Sequence, residues 1–341
     1  MLTVAVKETG PVEQRLASAF EAAHPGVSVR LLETAALPPP AGEAVAADVW
    51  WGADAFAMAA AAGDGRLAPL PPAAPPSPHA RWLPVERIHP VLAFNVDSVS
   101  RGAAPRDVRV LFHPLWRGRL LLPDPAGSAL GRALVGWAMD AERVRTGDET
   151  AGVDWLRRLD ASVVAYVPER EIMRALAAGR GTVAVADLRD AARARADGLP
   201  VDYVALEGGP PPITRGMAML PEADTALAGA FMALAAGEPG RSLLVAEYRL
   251  PADGAGGEGR SGGDGRAGAE AGEGREGGAG VAEAPDGGAE PSWAREARQR
   301  LPVAPIRVDT VAAHLDRWLG RWRVEARGRG APGTMNRHRE E

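Results

Sequence analysis

The chain has 341 residues, enough for about two domains, and 46% of them are hydrophobic, so it can bury a sizeable core. Its formal net charge of -5 argues against nucleic-acid binding and against attachment to an anionic membrane, both of which need a basic surface. The absence of Cys excludes disulfides, thiolate metal sites and a Cys nucleophile, and no stretch reaches the roughly 18 consecutive apolar residues of a membrane-spanning helix.

The first part of the chain alternates between predicted strands and helices. Leu2–Val6 alternates like a short strand, and Pro11 can begin a helix that the His-Pro-Gly run at residues 24–26 ends. Residues 27–32 then form a β-branched strand, which completes a βαβ unit. A further strand at residues 47–51 precedes a helix that runs through Ala62. The residues expected to share the apolar face of the first helix are Val12, Leu16, Ala19 and Phe20.

The same alternation returns after a Pro-rich run at residues 70–78, which predicts an extended surface connection. Extended strands are predicted at residues 87–94 and 213–220, and a helix at 224–235. Repeated βαβ signals predict parallel sheet covered by helices, and two such blocks joined by extended strands predict two α/β lobes. Between the two extended strands, the predicted strands are 119–122, 162–166, 182–186 and 201–206, and the predicted helices are 130–139, 153–159, 169–178 and 189–196.

The C-terminal quarter has a different composition. Residues 252–291 are rich in Gly, Glu, Ala and Asp with almost no large apolar side chain, so we expect a disordered linker. Residues 293–300 and 308–323 read as helices, and we expect the segment 292–325 to dock on the lobes and 326–341 to be a disordered tail. The second helix carries its apolar residues on one side: Val311, Leu315, Trp318, Leu319 and Trp322.

Residues 92–131 carry several motifs in one order. Residues 92–99 read Leu-Ala-Phe-Asn-Val-Asp-Ser-Val, residues 114–118 read Pro-Leu-Trp-Arg-Gly, and an apolar strand leads into Asp-Pro-Ala-Gly-Ser at 124–128. Together these motifs resemble the type 2 periplasmic solute-binding proteins of ABC importers, especially the ferric iron branch of extracellular solute-binding protein family 1. The resemblance spans roughly residues 1–250.

The resemblance implies an α/β fold of two lobes joined by hinge strands, with the disordered Gly-rich segment as an insertion. Lobe 1 would comprise residues 1–92 and 216–251, and lobe 2 residues 93–215. The strand at 87–94 is the first hinge candidate, and the strand at 213–220 returns to lobe 1. Closure of the lobes around a small solute would then be a population shift rather than a chemical step.

The resemblance also implies a function, the capture of a small solute in the cleft for an ABC importer. The expected ligand is an anionic solute or a metal–anion complex, and the expected partners are the permease subunits. The alternative is a cytosolic ligand-sensing module of the same fold, because Met1 leads into a strand without an apolar leader. The first hypothesis implies a periplasmic or extracellular location and the second a cytoplasmic one. We expect a monomer that neither binds nucleic acid nor inserts into a membrane.

The loop at residues 124–128 is the best candidate for ligand contact. It opens a helix whose first N–H groups attract anions, Gly127 permits close approach to the backbone, and Ser128 offers a hydroxyl. The alternative is that Ser128 only caps the helix, as most Ser residues at such positions do. The two roles are compatible.

Two strand ends in the first lobe offer further candidates, because ligands bind at the carboxyl ends of strands in open α/β sheets. The candidates there are Thr9, Gly10, Trp51, Gly52 and Asp54. For Thr9 and Gly10 the alternative is a simple loop with a helix cap, and for Trp51 it is burial in the core. The second strand end matches a Gly-Gly pattern of the family, except that Ala53 replaces the second Gly.

The second lobe offers Arg170 and Asp187. Glu169 and Glu171 flank Arg170 where many relatives have a Ser-rich turn, and they suit a helix N-terminus, while Arg170 could clamp a carboxylate or phosphate. Asp187 lies about where ferric iron members place adjacent Tyr residues, so it could contact a ligand amine or cap the next helix. The three Tyr residues are scattered and the remaining acids form no convincing ligand set, so ferric binding is not expected.

Motifs of catalysis are missing from the sequence. It contains no Gly-x-Ser-x-Gly, no His-Glu-x-x-His and no Gly-x-x-x-x-Gly-Lys motif, and its six His residues show no metal-ligand spacing. We therefore expect no enzymatic activity, no cofactor and no resident metal ion.

Overall fold

A computed structural model describes residues 1–34, 38–39, 46–252 and 307–327. Within these residues the chain forms two units, each built around one β-sheet. Unit 1 contains Met1–Ile88, Ala196–Gly198 and the residues from Thr214 to Ala252, and unit 2 contains His89–Arg195, Leu199–Ile213 and residues 307–327. The predicted linker beyond Ala252, the predicted helix at 293–300 and the predicted tail beyond Arg327 lie outside the described residues.

Unit 1 has a six-stranded mixed sheet with the order β11-β4-β10-β3-β1-β2. The first strand, β1, pairs in parallel with both β2 and β3, whereas β10 runs antiparallel to β3 and β11 runs antiparallel to β4. The predicted parallel pairing is present among β1, β2 and β3, and antiparallel strands extend the sheet beyond them. Its strands are β1 (Leu2–Val6), β2 (Val29–Glu33), β3 (Val49–Asp54), β4 (Leu83–Ile88), β10 (Ile213–Met219) and β11 (Leu250–Pro251).

Four helices accompany the described part of this sheet: α1 (Pro11–Ala23), α2 (Ala55–Gly63), α7 (Thr225–Ala236) and α8 (Glu238–Ala246). The α1 helix begins at a Pro, whose missing N–H costs nothing in the first turn. The aromatic rings of Phe20, Trp51 and Phe231 meet edge to face in the core. The predicted face of α1 is correct for Val12, Leu16 and Phe20 but wrong for Ala19, which is exposed.

Unit 2 has a five-stranded mixed sheet with the order β7-β6-β8-β5-β9. The three neighbouring strands β7, β6 and β8 are parallel, and β5 is antiparallel to both of its neighbours, β8 and β9. The one antiparallel strand in this group, β5, belongs to the extended segment predicted at 87–94. Its strands are β5 (Pro90–Asn95), β6 (Leu120–Pro123), β7 (Val163–Val167), β8 (Val183–Asp187) and β9 (Val201–Ala205).

The extended segment predicted at 87–94 is not continuous, because it divides at His89 into β4 and β5. Pro90 can begin a strand but has no N–H for a ladder. The His89 N–H instead donates to the Asp187 carboxylate at 3.2 Å, and the His89 carbonyl accepts from the Leu188 N–H at 2.8 Å. The break is therefore fixed by contacts with residues almost a hundred positions later in the chain.

The helices of unit 2 include one from the C-terminal part of the chain, α9 (Val308–Arg321), where the sequence predicts a helix at residues 308–323. Its apolar face packs on α3, and Arg307 forms an ion pair with Asp140 of α3 at 2.7 Å. The chain then continues as a π-helical turn, Trp322–Ala326, in which the Trp322 ring meets Tyr166 edge to face. The described helices of unit 2 are α3 (Ala129–Thr146), α4 (Glu149–Asp160), α5 (Ile172–Ala177), α6 (Leu188–Ala196) and α9 (Val308–Arg321).

A buried network of charges joins distant parts of unit 1. Arg249, just before β11, donates to Glu13 of α1 at 2.7 Å and also to Glu86 of β4, and Arg215 of β10 lies 3.7 Å from Glu86. Burial alone would lower the pKa of the Arg249 guanidinium, but the charges of Glu86 and Glu13 raise it above its ordinary value. Two acids and two Arg residues thus link the segment before β11 to α1, β4 and β10. The Arg215 side chain is only 14% exposed, so it belongs to the interior of the unit.

Candidate functional site

The candidate residues from the sequence all lie at, or just beyond, the carboxyl ends of parallel strands. In unit 1 they follow β1 or end β3, and in unit 2 they follow β6 and β7 or end β8. Strand ends of this kind meet at one edge of a sheet, which is where open α/β sheets bind their ligands. Each unit therefore carries its own set of candidate contacts.

In unit 1, Thr9 and Gly10 form the short loop between β1 and α1. The Thr9 N–H donates to Glu33 Oε1 at 2.8 Å, and the Gly10 N–H donates to Glu13 Oε2 at 3.1 Å. The backbone hydrogen bond from Thr9 lowers the pKa of the Glu33 carboxyl. Both N–H groups thus have protein acceptors, as in the simple capped loop that was the alternative for this segment.

The end of β3 combines an open backbone with a helix cap. Gly52 has a φ of +100°, and a Cβ added there would meet nothing within 4 Å, so this position is both conformationally restricted to Gly and open. Asp54 caps α2 by accepting the Ala57 N–H at 3.1 Å and is 2% exposed. The Trp51 ring lies in the hydrophobic core, also 2% exposed, so the core alternative describes this side chain.

In unit 2, the backbone N–H groups of the loop Asp124–Ser128 find their hydrogen-bond acceptors mainly within the loop itself. The Ala126 N–H donates to Asp124 Oδ1, and the N–H groups of Gly127 and Ser128 donate to the Asp124 carbonyl. The Ser128 hydroxyl oxygen accepts the Gly131 N–H at 3.0 Å and so caps α3, as the sequence predicts. Four N–H groups that an anion could use therefore already have partners within the protein.

The Ser128 hydroxyl also contacts an acid. Its hydrogen is donated to Glu169 Oε2 at 2.7 Å, and Ser128 itself is only 1% exposed. Glu169 comes just after β7, and its carboxylate lies with those of Asp187 and Asp190. One oxygen from each of the three groups lies within 4.8 Å of the others, so the trio is able to hold a metal ion. We call Glu169, Asp187 and Asp190 the carboxylate trio.

Asp187 ends β8, and its carboxylate accepts backbone hydrogen bonds. Its Oδ1 accepts the N–H of Arg189 in the first turn of α6 at 3.3 Å and the N–H of His89 at 3.2 Å. The capping role that the sequence offered as one alternative is therefore present. Asp190 lies one turn further along α6, where its Oδ1 accepts from Arg189 Nε at 2.9 Å.

Arg170 is not brought to this cluster. Its side chain is 81% exposed, and its nearest acid is Glu171, at 3.9 Å. Arg170 and Glu171 belong to a short 3-10 turn, Glu169–Glu171, in which Glu169 turns toward Ser128. An anion clamp by Arg170 would need a different side-chain conformation.

The grouping of Glu169, Asp187 and Asp190 was not predicted from the sequence, in which the acids form no convincing ligand set. In the structure Glu169 and Asp187 come together and Asp190 joins them. The available signal was the strand order, because the ends of the parallel strands β7, β6 and β8 are neighbours at one edge. The spacing of 187 and 190 also places both acids at the start of α6.

Both α/β units carry candidate contacts at the ends of their parallel strands. Within the described ranges no helix has the length and apolarity needed to cross a bilayer. Residues 2–247 match the family model described as "Bacterial extracellular solute-binding protein", and the chain belongs to this family. A comparison with curated proteins gave no match.

Solved structures agree with this assignment at the level of the fold. The periplasmic binding protein AfuA from Actinobacillus pleuropneumoniae, with exogenous fructose-6-phosphate bound, is 17% identical with a TM-score of 0.70, covering 96% of this chain and 98% of that one. The apo ferric ion-binding protein A from Pasteurella haemolytica is 13% identical with a TM-score of 0.71, covering 97% and 99%. Iron-bound HitA from Pseudomonas aeruginosa is 21% identical with a TM-score of 0.62, covering 75% and 87%.

These findings confirm the resemblance and the fold predicted from the sequence, a two-lobe type 2 periplasmic binding protein fold. The protein is a solute-binding protein of the ABC importer type, and its family implies a small-molecule ligand, permease partners and a periplasmic or extracellular location. The family is one of binding proteins rather than enzymes.

Proposed function

We propose that this protein is a monomeric substrate-binding component that captures a solute with a positively charged group for an ABC importer. The carboxylate trio carries the proposal, because three acidic side chains lie together at strand ends of a binding-protein fold. Two kinds of solute carry such a positive charge: a metal ion bound together with its anion, and a protonated organic amine. The chain passes from one unit to the other at Ile88–His89 and at Ile213–Thr214, among other points, and these two lie in the segments that the sequence offers as hinge candidates.

The charges around the trio support a cation. Asp187 is 4% exposed, Glu169 and Asp190 are half-buried, and carboxylates held this close together repel one another, which favours a positive charge beside them. Arg189 supplies part of that charge through Asp190. A bound ammonium group or metal ion would supply more, and the differential attraction would favour the liganded state.

An anionic solute, the ligand expected from the sequence, is the second candidate. The observation that favours it is at Gly127, where the backbone is exposed and a Cβ would meet nothing within 4 Å. A ligand could approach the chain closely there. Two observations argue against an anionic solute. The N–H groups of the loop Asp124–Ser128 already have acceptors within the protein, and the negatively charged Glu169 carboxylate lies beside Ser128.

A thermal-shift panel tests the proposal with Mn²⁺, spermidine, inorganic phosphate and fructose 6-phosphate as probes. A probe at about 100 times its Kd stabilises the native state by about 2.7 kcal/mol, which is a measurable rise in Tm. We expect a rise with Mn²⁺ or spermidine and none with the two anions. A rise with the anions alone would replace this proposal with the second candidate.

A matched pair of variants shows whether the trio is responsible. Asp190→Asn removes one charge of the trio, whereas Asp154→Asn removes a charge from an exposed position on α4. The cation-induced rise in Tm should shrink in the first variant and persist in the second. Equal responses would mean that the cation binds elsewhere.

A further inference from the structure

Just after α8 the backbone adopts a conformation that L-amino acids rarely take. Tyr248 has a φ of +59°, and it is the one non-glycine residue with a positive φ in the part of the chain that the structure describes. Its N–H donates to the Val245 carbonyl at 3.1 Å. The Arg249 N–H donates to the Leu244 carbonyl at 2.8 Å, which completes the turn that normally ends a helix with Gly. Gly would adopt this turn without strain, so Tyr248 is held there at a cost in free energy.

The contacts on either side of Tyr248 hold the strained turn in place. Arg249, a member of the buried charge network, donates to Glu13 at 2.7 Å. Glu247 lies 3.9 Å from Arg15, and both partners belong to the first two turns of α1. Strained conformations persist where their surroundings over-determine them, and they concentrate at ligand-binding and active sites. The strain at Tyr248 therefore indicates a function for its side chain that Gly would not provide.

Tyr248 lies at the edge of unit 1 that carries the candidate ligand contacts. The first turn of α1, which holds Arg249 through Glu13, begins directly after the candidate loop Thr9–Gly10 at the carboxyl end of β1. The Arg249 guanidinium also lies 6.0 Å from the centre of the Trp51 ring in β3. The residue next to Tyr248 thus contacts both strand ends that the sequence offers as ligand sites in this unit. Tyr248 itself is half-buried, so it remains accessible from solvent.

We infer that Tyr248 is a specificity-determining residue that contacts the solute through the face of its aromatic ring. The inference rests on the proposed function, because it takes the solute to carry a positive charge. It goes further by naming the class of solute, an organic ammonium compound, since the face of an aromatic ring attracts an ammonium group. The contact uses the ring and not the hydroxyl group. Mn²⁺ then remains a probe of the carboxylate trio alone.

Tyr248→Gly and Tyr248→Asn test the inference, because both new residues accept a positive φ and neither carries a ring. Spermidine, titrated calorimetrically into the full chain, should bind both variants more weakly than the wild type by about fivefold or more. The Mn²⁺-induced rise in Tm should be unchanged, because a bare metal ion is held by carboxylates. The urea midpoint of both variants should be no lower than that of the wild type, since the strain is relieved. Tyr248→Phe keeps the ring and should retain the spermidine affinity within about twofold.

Gly147→Asn is the matched control, because Gly147 occupies the left-handed position at the end of α3, with a φ of +77°. It changes a helix end without touching Tyr248, so the spermidine affinity should stay within about twofold of the wild-type value. An equal weakening in this variant would overturn the inference. So would an unchanged spermidine affinity, or a lowered urea midpoint, in both Tyr248→Gly and Tyr248→Asn. Weakening by Tyr248→Phe to the same extent would assign the contact to the hydroxyl group and also overturn it.

The failure of this inference and the failure of the proposed function are distinguishable. A wild type that is stabilised by Mn²⁺ or spermidine retains the proposed function, whatever the Tyr248 variants show. A wild type that binds Mn²⁺ but not spermidine, or one whose spermidine affinity survives loss of the ring, retains the function and rejects the role of Tyr248. A wild type that responds to neither cation ends both.

Discussion

Gly131 lies directly against Pro123: a Cβ added to Gly131 would stand 2.7 Å from the Pro123 carbonyl oxygen. The same Cβ would stand 2.9 Å from two backbone atoms of Pro125. The third residue of α3 therefore has to be Gly for the helix to begin this close to the end of β6. This contact fixes the loop Asp124–Ser128 against its own strand.

Gly131→Ala should displace the loop and destabilise the protein. The atoms in the way belong to the backbone, so the clash cannot be relieved by turning a side chain, and overpacking of this kind costs about 1–3 kcal/mol. Chemical denaturation gives the free energy of unfolding. Unchanged stability would show that the loop shifts at no cost.

Gly127→Ala is the companion variant, four residues earlier in the same segment. Its Cβ would meet nothing within 4 Å, so stability should change by less than about 0.5 kcal/mol. If the proposed solute approaches the backbone here, the Tm rise caused by Mn²⁺ or spermidine should fall in this variant. A full ligand response would remove Gly127 from the site.

Arg249→Met should destabilise unit 1 strongly. It leaves the buried carboxylates of Glu13 and Glu86 without their shared guanidinium, and removal of one partner of a buried ion pair costs about 3–5 kcal/mol. Urea denaturation followed by Trp fluorescence measures the loss.

Arg15→Met is the control for that experiment. Arg15 forms a pair with Glu247 at 3.9 Å and its side chain is 58% exposed, so its removal should cost no more than about 1 kcal/mol. Similar losses in the two variants would mean that the Arg249 network contributes no more than a surface pair.

The Tyr166 hydroxyl should stay protonated at a pH where an ordinary Tyr ionises. Burial, followed by the charge of Asp160, to which it donates at 2.8 Å, raises the pKa of Tyr166 above its ordinary value. Since the unfolded chain releases this proton near pH 10 and the native chain does not, the contribution to stability is complete below about pH 10 and is lost as the pH rises.

Comparison of wild type with Tyr166→Phe isolates this effect. The loss of stability above about pH 10 should be smaller in the variant, and the tyrosinate absorbance of the native protein should be the same in both. A wild type that shows one additional ionising Tyr before unfolding would contradict the assignment.

Ferric salt should not produce a visible tyrosinate-to-iron absorption band. The carboxylate trio contains no Tyr, and Tyr166 is held by Asp160 within unit 2. Absorption spectra during a titration with ferric citrate check this. A strong band would require a Tyr ligand and would reverse the assignment of the trio as the cation site.

The sequence predicted the strand ends well because periodicity and turn residues are local signals. The cap at Ser128, the loop at Thr9–Gly10 and the helix after Asp54 all follow from residues within a few positions of one another. What it could not predict depends on residues far apart in the chain. Glu13 of α1 is buried because Arg249, 236 positions later, pairs with it.

The same reason explains the errors around the site. The strand predicted at 87–94 divides at His89 because the Asp187 carboxylate and the Leu188 N–H take the backbone groups of His89. The sequence indicates that Glu169 suits the N-terminus of its own helix, whereas its carboxylate turns toward Ser128, 41 positions earlier. A carboxylate trio drawn from two separate turns becomes visible only when the sheet order is known.

The most direct measurement is anomalous diffraction from crystals of the wild-type chain soaked with Mn²⁺, beside crystals soaked with inorganic phosphate. We predict an anomalous peak bounded by Glu169, Asp187 and Asp190, and no phosphate at the first turn of α3. A map without a peak at these three side chains, together with phosphate bound beside Ser128, would contradict the account.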